Sequence, residues 1–282
     1  MEEQLKHAIV SVFPQRVFPA LAGEKPLSVA NVKRFAPTAA VGILIAFTPV
    51  LYGSLAAPSN VIADPADLFI FSIGNVLPLL FVFYAALLYV PVVLQETQAA
   101  GWMPIIARRG RSSYVGTHVV RSAAIGALAF GSAIGLAAMW AFAIAPAFDQ
   151  VAFMPEQRVL PVAEDMTFSQ FAHTGTWKFV VFMIFWTAFH GLLYTALFAA
   201  LAMHLRNPFL ALLLGPAVVF LVGTALAIAQ LEMFMPDNAV LPTGLEQGPL
   251  HEPVITTCVV LLTVLGTVGF TLWSPRLPRA LR

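Results

Sequence analysis

Six stretches of this chain, residues 35–55, 69–94, 119–145, 178–204, 209–231 and 254–274, are apolar and free of Asp, Glu, Lys and Arg except at two edges, Arg121 and Lys178. A helix that crosses the hydrocarbon core of a bilayer needs about 20 mostly apolar residues, and every stretch is long enough. In lipid the backbone must satisfy its own N–H and C=O groups, so only helices and closed barrels span. Barrel strands read as about ten residues of alternating polarity, whereas Ala123–Ala145 is apolar on all sides. Charged residues make up only 10% of the 282 positions, against about 25% in soluble domains. A water-soluble fold could not cover its surface with so few ions. The expected fold class is all-α integral membrane, with six transmembrane helices.

Orientation follows from where the cations fall. Lys6, Arg16, Lys25, Lys33 and Arg34 precede the first span, and Arg108, Arg109, Arg111 and Arg121 lie between the second and third. Arg206 sits between the fourth and fifth, and Arg276, Arg279 and Arg282 form the tail. An even number of spans puts all of these on one side and leaves only Arg158 and Lys178 on the other. The acids run oppositely, with Glu2, Glu3, Glu24 and Glu96 alone on the basic side. Both termini are therefore expected in the cytoplasm. Trp102, Trp140, Trp177 and Trp273 fall at expected span ends, where aromatic belts form, and Trp186 falls inside a span.

The organisation is thus residues 1–34 as a cytoplasmic segment, 35–274 as a six-helix transmembrane domain, and 275–282 as a cytoplasmic tail. Leu5, Ala8, Ile9, Val12 and Phe13 recur at helical spacing beside Lys6, His7, Gln15 and Arg16. That pattern is either an N-terminal amphipathic helix lying in the interface or a loosely ordered basic tail. The connection Gln95–His118 is short and basic, which suits either a topogenic signal or a docking element. Two segments on the acidic side, Pro146–Trp177 and Glu232–Pro253, hold apolar residues and prolines and are expected to form compact lids over the spans.

Catalytic signals are sparse. The G-x-x-x-x-G-K-[ST] loop of nucleotide hydrolases, the Rossmann glycine fingerprint, H-E-x-x-H and G-x-S-x-G are all absent from the sequence. The single cysteine, Cys258, excludes an intrachain disulfide and a cysteine-built metal site. The cations are spread over separate segments and form no nucleic-acid footprint. His190 lies deep in the fourth span near Trp186 and Tyr194 on one helical face. Intramembrane ionisable groups are candidates for proton carriage or substrate contact, and a histidine bonded to a backbone carbonyl is the other reading. No span carries a buried carboxylate, which disfavours an ion-coupled transporter. Ala123, Ala127, Gly131 and Gly135 form a stripe of small residues that lets helices approach closely, either within one chain or between two. Prolines at Pro37, Pro49, Pro78, Pro91 and Pro216 permit kinks.

The layout resembles the permease subunits of bacterial type-2 ABC exporters, whose fold is ABCG-like. The resemblance rests on six spans, inside termini, an interfacial leading helix, and the run Ala107-Arg-Arg-Gly-Arg-Ser-Ser-Tyr114 entering the third span. It implies that the 95–118 loop docks on a separate ATPase subunit, with Arg108, Arg109, Arg111 and Tyr114 at or near the contact. It also implies two permease copies, or this chain with a related permease, around a central path. The chain itself would bind no cofactor, because ATP and magnesium would sit on the ATPase. Glu232–Pro253 would correspond to the family's outer region between spans five and six. Pro146–Trp177 is longer than the family pattern.

A substrate path would draw on His190, Trp186, Tyr194, Phe81 and Tyr84. The expected location is a bacterial plasma membrane, with lipid as the surrounding partner. Two other functions stay open at this level: a membrane enzyme that modifies lipids, and a secondary transporter that uses His190.

Overall fold

The computed structural model describes residues 29–98, 106–108, 110–156, 168, 175–205, 207–241 and 251–273. The chain divides into two compact units, Met1–Ala36 and Pro37–Arg282. Of the first, only Val29–Ala36 is described, as the opening of a long helix. The interfacial helix expected nearer the N-terminus lies outside the described residues, as do Trp102, Arg109 and the tail from 274 onward.

The described residues are almost all helical. In chain order the helices are α1 (Val29–Ala56), α2 (Pro65–Gly74), α3 (Val76–Gln98), α4 (Arg111–Met139), α5 (Thr176–Ala202), α6 (Pro208–Ile228), the short α7 (Pro236–Val240) and α8 (His251–Trp273). Six of them, α1, α3, α4, α5, α6 and α8, are long and apolar enough to cross a membrane. The protein is therefore a helical, multi-pass membrane protein by length and composition.

The second expected span, 69–94, is drawn too early and as one piece. Asp64 caps a separate helix by accepting from Ala66 N at 2.8 Å and Asp67 N at 2.9 Å, with Pro65 at the first helical position. That helix, α2, stops at Gly74, and α3 begins at Val76. Pro78 explains the break, because it has no N–H to offer the Gly74 carbonyl four residues back.

The third span also runs further than expected. After Met139 the helix widens into a π turn over Trp140–Ile144 and continues through Ala147. Trp140 is therefore not a belt residue. It is 3% exposed, packs on Gly53 of α1, and its indole N–H donates to Gln150 Oε1 at 3.1 Å. Trp177 and Trp273, by contrast, are exposed at helix ends, as aromatic anchors would be.

The tightest packing joins α4 to α5. A Cβ at Gly126 would fall on the Gly191 carbonyl oxygen, and one at Gly191 would lie 2.6 Å from the Gly126 oxygen. Two backbones in contact need glycine on both sides. Gly131 continues the seam against Ala188, and Gly135 faces Ile184. The small-residue stripe thus serves packing within the chain, with Ala123 and Ala127 half-buried beside it. α3 closes the centre through Phe81, which stacks on Phe130 at 4.0 Å and meets Tyr194 edge-on. Toward α1, Tyr84 shares a 3.0 Å hydrogen bond with Thr48. The spans α1, α6 and α8 are the least buried of the six.

Candidate functional site

One groove runs along the bundle. α6 and α8 both pack on α5, and between them open two cavities of about 410 and 570 Å³ that share Leu201, Leu214 and Thr267. The floor is α5, where Phe198 lies so close to Gly215 of α6 that any Cβ there would strike its ring. The walls are Val218, Val219 and Val222 on one side and Val259, Val260 and Thr263 on the other. One end reaches His204, Gly266 and Phe270, and the other is closed by Pro236 of α7.

Polar groups mark both ends. At the first, His204 Nε2 lies 2.8 Å from Thr271 Oγ1, whose own proton goes to the Thr267 carbonyl at 2.7 Å. The imidazole therefore donates from Nε2. Burial, and then the charge of Arg111, hold His204 below the ordinary histidine range. Arg111 Nη2 donates to the Thr271 carbonyl at 2.6 Å, so the first residue of α4 is tied to the last turn of α8. At the second end, α7 turns into the bundle. Its Ala239 carbonyl accepts from the Trp186 indole at 2.9 Å, and its Asp237 Oδ1 lies 3.9 Å from the position a Gly223 Cβ would take.

The site residues expected from the sequence separate into three groups. Tyr194 lines the groove. Phe81 and Tyr84 are buried in the α3 packing described above and line neither cavity. His190 is fully buried and bonded on both ring nitrogens. Its Nδ1 donates to the Trp186 carbonyl at 3.0 Å, and its Nε2 lies 3.1 Å from the hydroxyl of Thr257. That hydroxyl also lies 2.6 Å from the Pro253 carbonyl and is shared between the two. Such an arrangement is a tether between α5 and α8.

Of the expected partner-contact residues, Arg108 is exposed and Arg111 half-buried. Tyr114 points inward: it is 3% exposed and donates to Glu96 Oε2 at 3.2 Å. Glu96 also accepts from His118 Nε2 at 2.9 Å, and Tyr89 donates to His118 Nδ1 at 3.1 Å. This Glu96–His118–Tyr89 seam was missed, as was the position of Asp237. The available signal was that Glu96 is the single acid of the 95–118 connection, with Tyr114 and His118 a turn apart across from it. Among the described residues, no group of three or more His, Cys, Asp or Glu side chains could hold a metal ion. When compared with known proteins, the chain matches no protein-family model, no curated protein and no solved structure.

Proposed function

We propose that this chain is the transmembrane permease subunit of an ATP-binding cassette exporter in a bacterial plasma membrane. Both termini and the 95–118 connection face the cytoplasm, where a separate ATPase binds that connection through Arg108, Arg109 and Arg111. Tyr114 acts behind them, through Glu96, in shaping the loop. Two permease copies, or this chain with a related one, complete the transporter. ATP and magnesium are held by the ATPase, so the chain performs no hydrolysis of its own.

The observation that carries the reading is the 2.6 Å bond from Arg111 to the Thr271 carbonyl. A push on the 95–118 connection is delivered through it to α8, and α8 is one wall of the groove. Because α6 and α8 are both seated on α5, a shift of α8 alone widens or narrows the groove. Mechanical coupling of this kind requires a rigid lever beside a loose wall, and the glycine seam of α4 and α5 supplies the lever. The positive-inside distribution supports the assignment of sides.

Purification in mild detergent with the partners identified by mass is the direct test. A soluble ATPase is expected to co-purify, and to be lost when Arg108, Arg109 and Arg111 are changed to Glu. Transport that persists with no ATPase bound would overturn the reading.

A further inference from the structure

One hydroxyl of α5 stands in a cavity wall with nothing to bond. Tyr194 is 1% exposed and lines the cavity that Pro236 closes, and its hydroxyl has no hydrogen-bond partner among the described residues. Thr187 and Thr195, also without partners, line neither cavity. The large majority of buried side-chain polar atoms are bonded, so one left open in a cavity wall points to a missing partner.

The surroundings restrict what that partner is. Among the described residues, the rest of this cavity is lined by Leu, Val, Phe, Gly, Pro and Thr side chains, with no charged group. An ion placed there would give up water and gain no counter-charge. Tyr194 also lies eight residues before the Ala202 end of α5, about 12 Å along the axis, where half the hydrocarbon core is about 15 Å. A charged headgroup stays at the surface and does not reach that depth. A phenol donates its proton, and a carbonyl oxygen accepts it without bringing a proton of its own. The section of the groove then sets the shape. From Tyr194 to Leu201, about 10 Å of α5, it encloses about 410 Å³, a mean section of about 40 Å². A helix about 10–12 Å across has a section of about 80–110 Å², so a helix of a second copy is too thick to enter. A hydrocarbon chain fits, and past Leu201, Leu214 and Thr267 the second cavity carries the space on to His204.

We propose that the groove binds an uncharged carbonyl lipid without a headgroup, such as a long-chain ketone or simple ester, drawn from the surrounding bilayer. Its oxygen accepts from the Tyr194 hydroxyl, and its chain lies along the valine walls toward Thr267 and His204. A saturated hydrocarbon fills the same space but leaves the hydroxyl open. A charged amphiphile is refused at this depth. The site goes beyond the permease reading, because it needs neither an ATPase nor a second copy.

The test uses the full chain in phosphatidylcholine nanodiscs and equilibrium binding of radiolabelled 2-tridecanone, with empty discs subtracted. Saturable binding of one molecule per chain is expected. Tridecane, which lacks the oxygen, binds about fivefold more weakly, and dodecylsulfonate at least about tenfold more weakly. Tyr194→Phe lowers the affinity for tridecanone about fivefold and leaves that for tridecane unchanged. Because it deletes a hydroxyl that has no bond to lose, it does not lower the unfolding midpoint of the ligand-free chain. Val219→Phe fills the middle of the groove and removes saturable binding of both compounds. Equal affinity for tridecanone and tridecane would overturn the proposal, as would full tridecanone affinity in Tyr194→Phe, wild-type binding in Val219→Phe, or no saturable signal above empty discs. A dimer that Val219→Phe splits, with no ligand binding to lose, would give the groove to a second copy and overturn it as well. A failed ATPase pull-down leaves this site standing, and a failed binding assay leaves the permease reading untouched.

Discussion

The α4–α5 pair and the α6–α8 pair use similar apolar residues to opposite ends. Between α4 and α5 the backbones touch at Gly126 and Gly191, with Gly131 and Ala188 prolonging the seam. Between α6 and α8 a groove stays open, and Gly266 and Gly269 of α8 meet nothing within 4 Å. Glycine is thus required in one pair and merely present in the other. In a bilayer no hydrophobic force drives helices together, so close fit and hydrogen bonds decide which ones hold. The first pair is a fixed post and the second a wall that can move.

Breaking the post has the largest expected effect. Gly126→Val places a branched side chain on the Gly191 carbonyl and is expected to cost about 3 kcal/mol, read as a lowered unfolding midpoint in detergent. Next comes the polar seam that fastens α3 to α4. Glu96→Ala leaves Tyr114 and His118 without their acceptor, at a cost of about 2 kcal/mol, measured the same way; a midpoint equal to wild type would show the seam to be idle. The link from the post to the wall is weaker. Thr257→Val removes the contact with His190 and is expected to cost about 0.6 kcal/mol, while loosening α8 in hydrogen exchange.

The pH response at the wall's far end is smaller still, and its sign follows from His204. Its folded value lies below the ordinary histidine value of about 6.5. Between the two values the unfolded chain takes up a proton that the folded chain refuses, so stability is fully present above about pH 6.5 and declines as pH falls through it. His204→Asn should flatten the midpoint measured between neutral and mildly acidic pH. Last, Gly266→Ala and Gly269→Ala should leave the midpoint within about 0.5 kcal/mol. A large loss at either glycine would show that α8 is as tightly seated as α5, and would erase the contrast.

Much of this contrast lies beyond what residue patterns carry. The spans themselves are legible, because the absence of ions over 20 residues has one cheap explanation in lipid. Their ends follow less well. The run Leu68–Leu80 carries no charged residue, and it takes Asp64, Pro65 and Pro78 together to show two helices there. The small-residue stripe was legible at Gly131 and Gly135, but the closest approach falls at Gly126, one residue off the four-residue spacing. Tyr194 could be chosen from its depth in a span. Pro236 could not, because in sequence it belongs to a segment between helices, and only the inward turn of α7 brings it to the groove. Tyr114 shows the reverse failure: a residue beside three arginines reads as surface until Glu96 is seen to hold it inward.

The π turn at Trp140–Ile144 acts as a phase shifter. One added residue in the ladder rotates every later side chain by about 100° around the axis. Before it, α4 presents its glycines to α5; within it, Trp140 meets Gly53 of α1 and Phe142 meets Phe69 of α2 at 6.0 Å. A single continuous rod therefore serves two different neighbours with two different faces, and losing one residue there would misalign everything downstream while leaving hydropathy untouched.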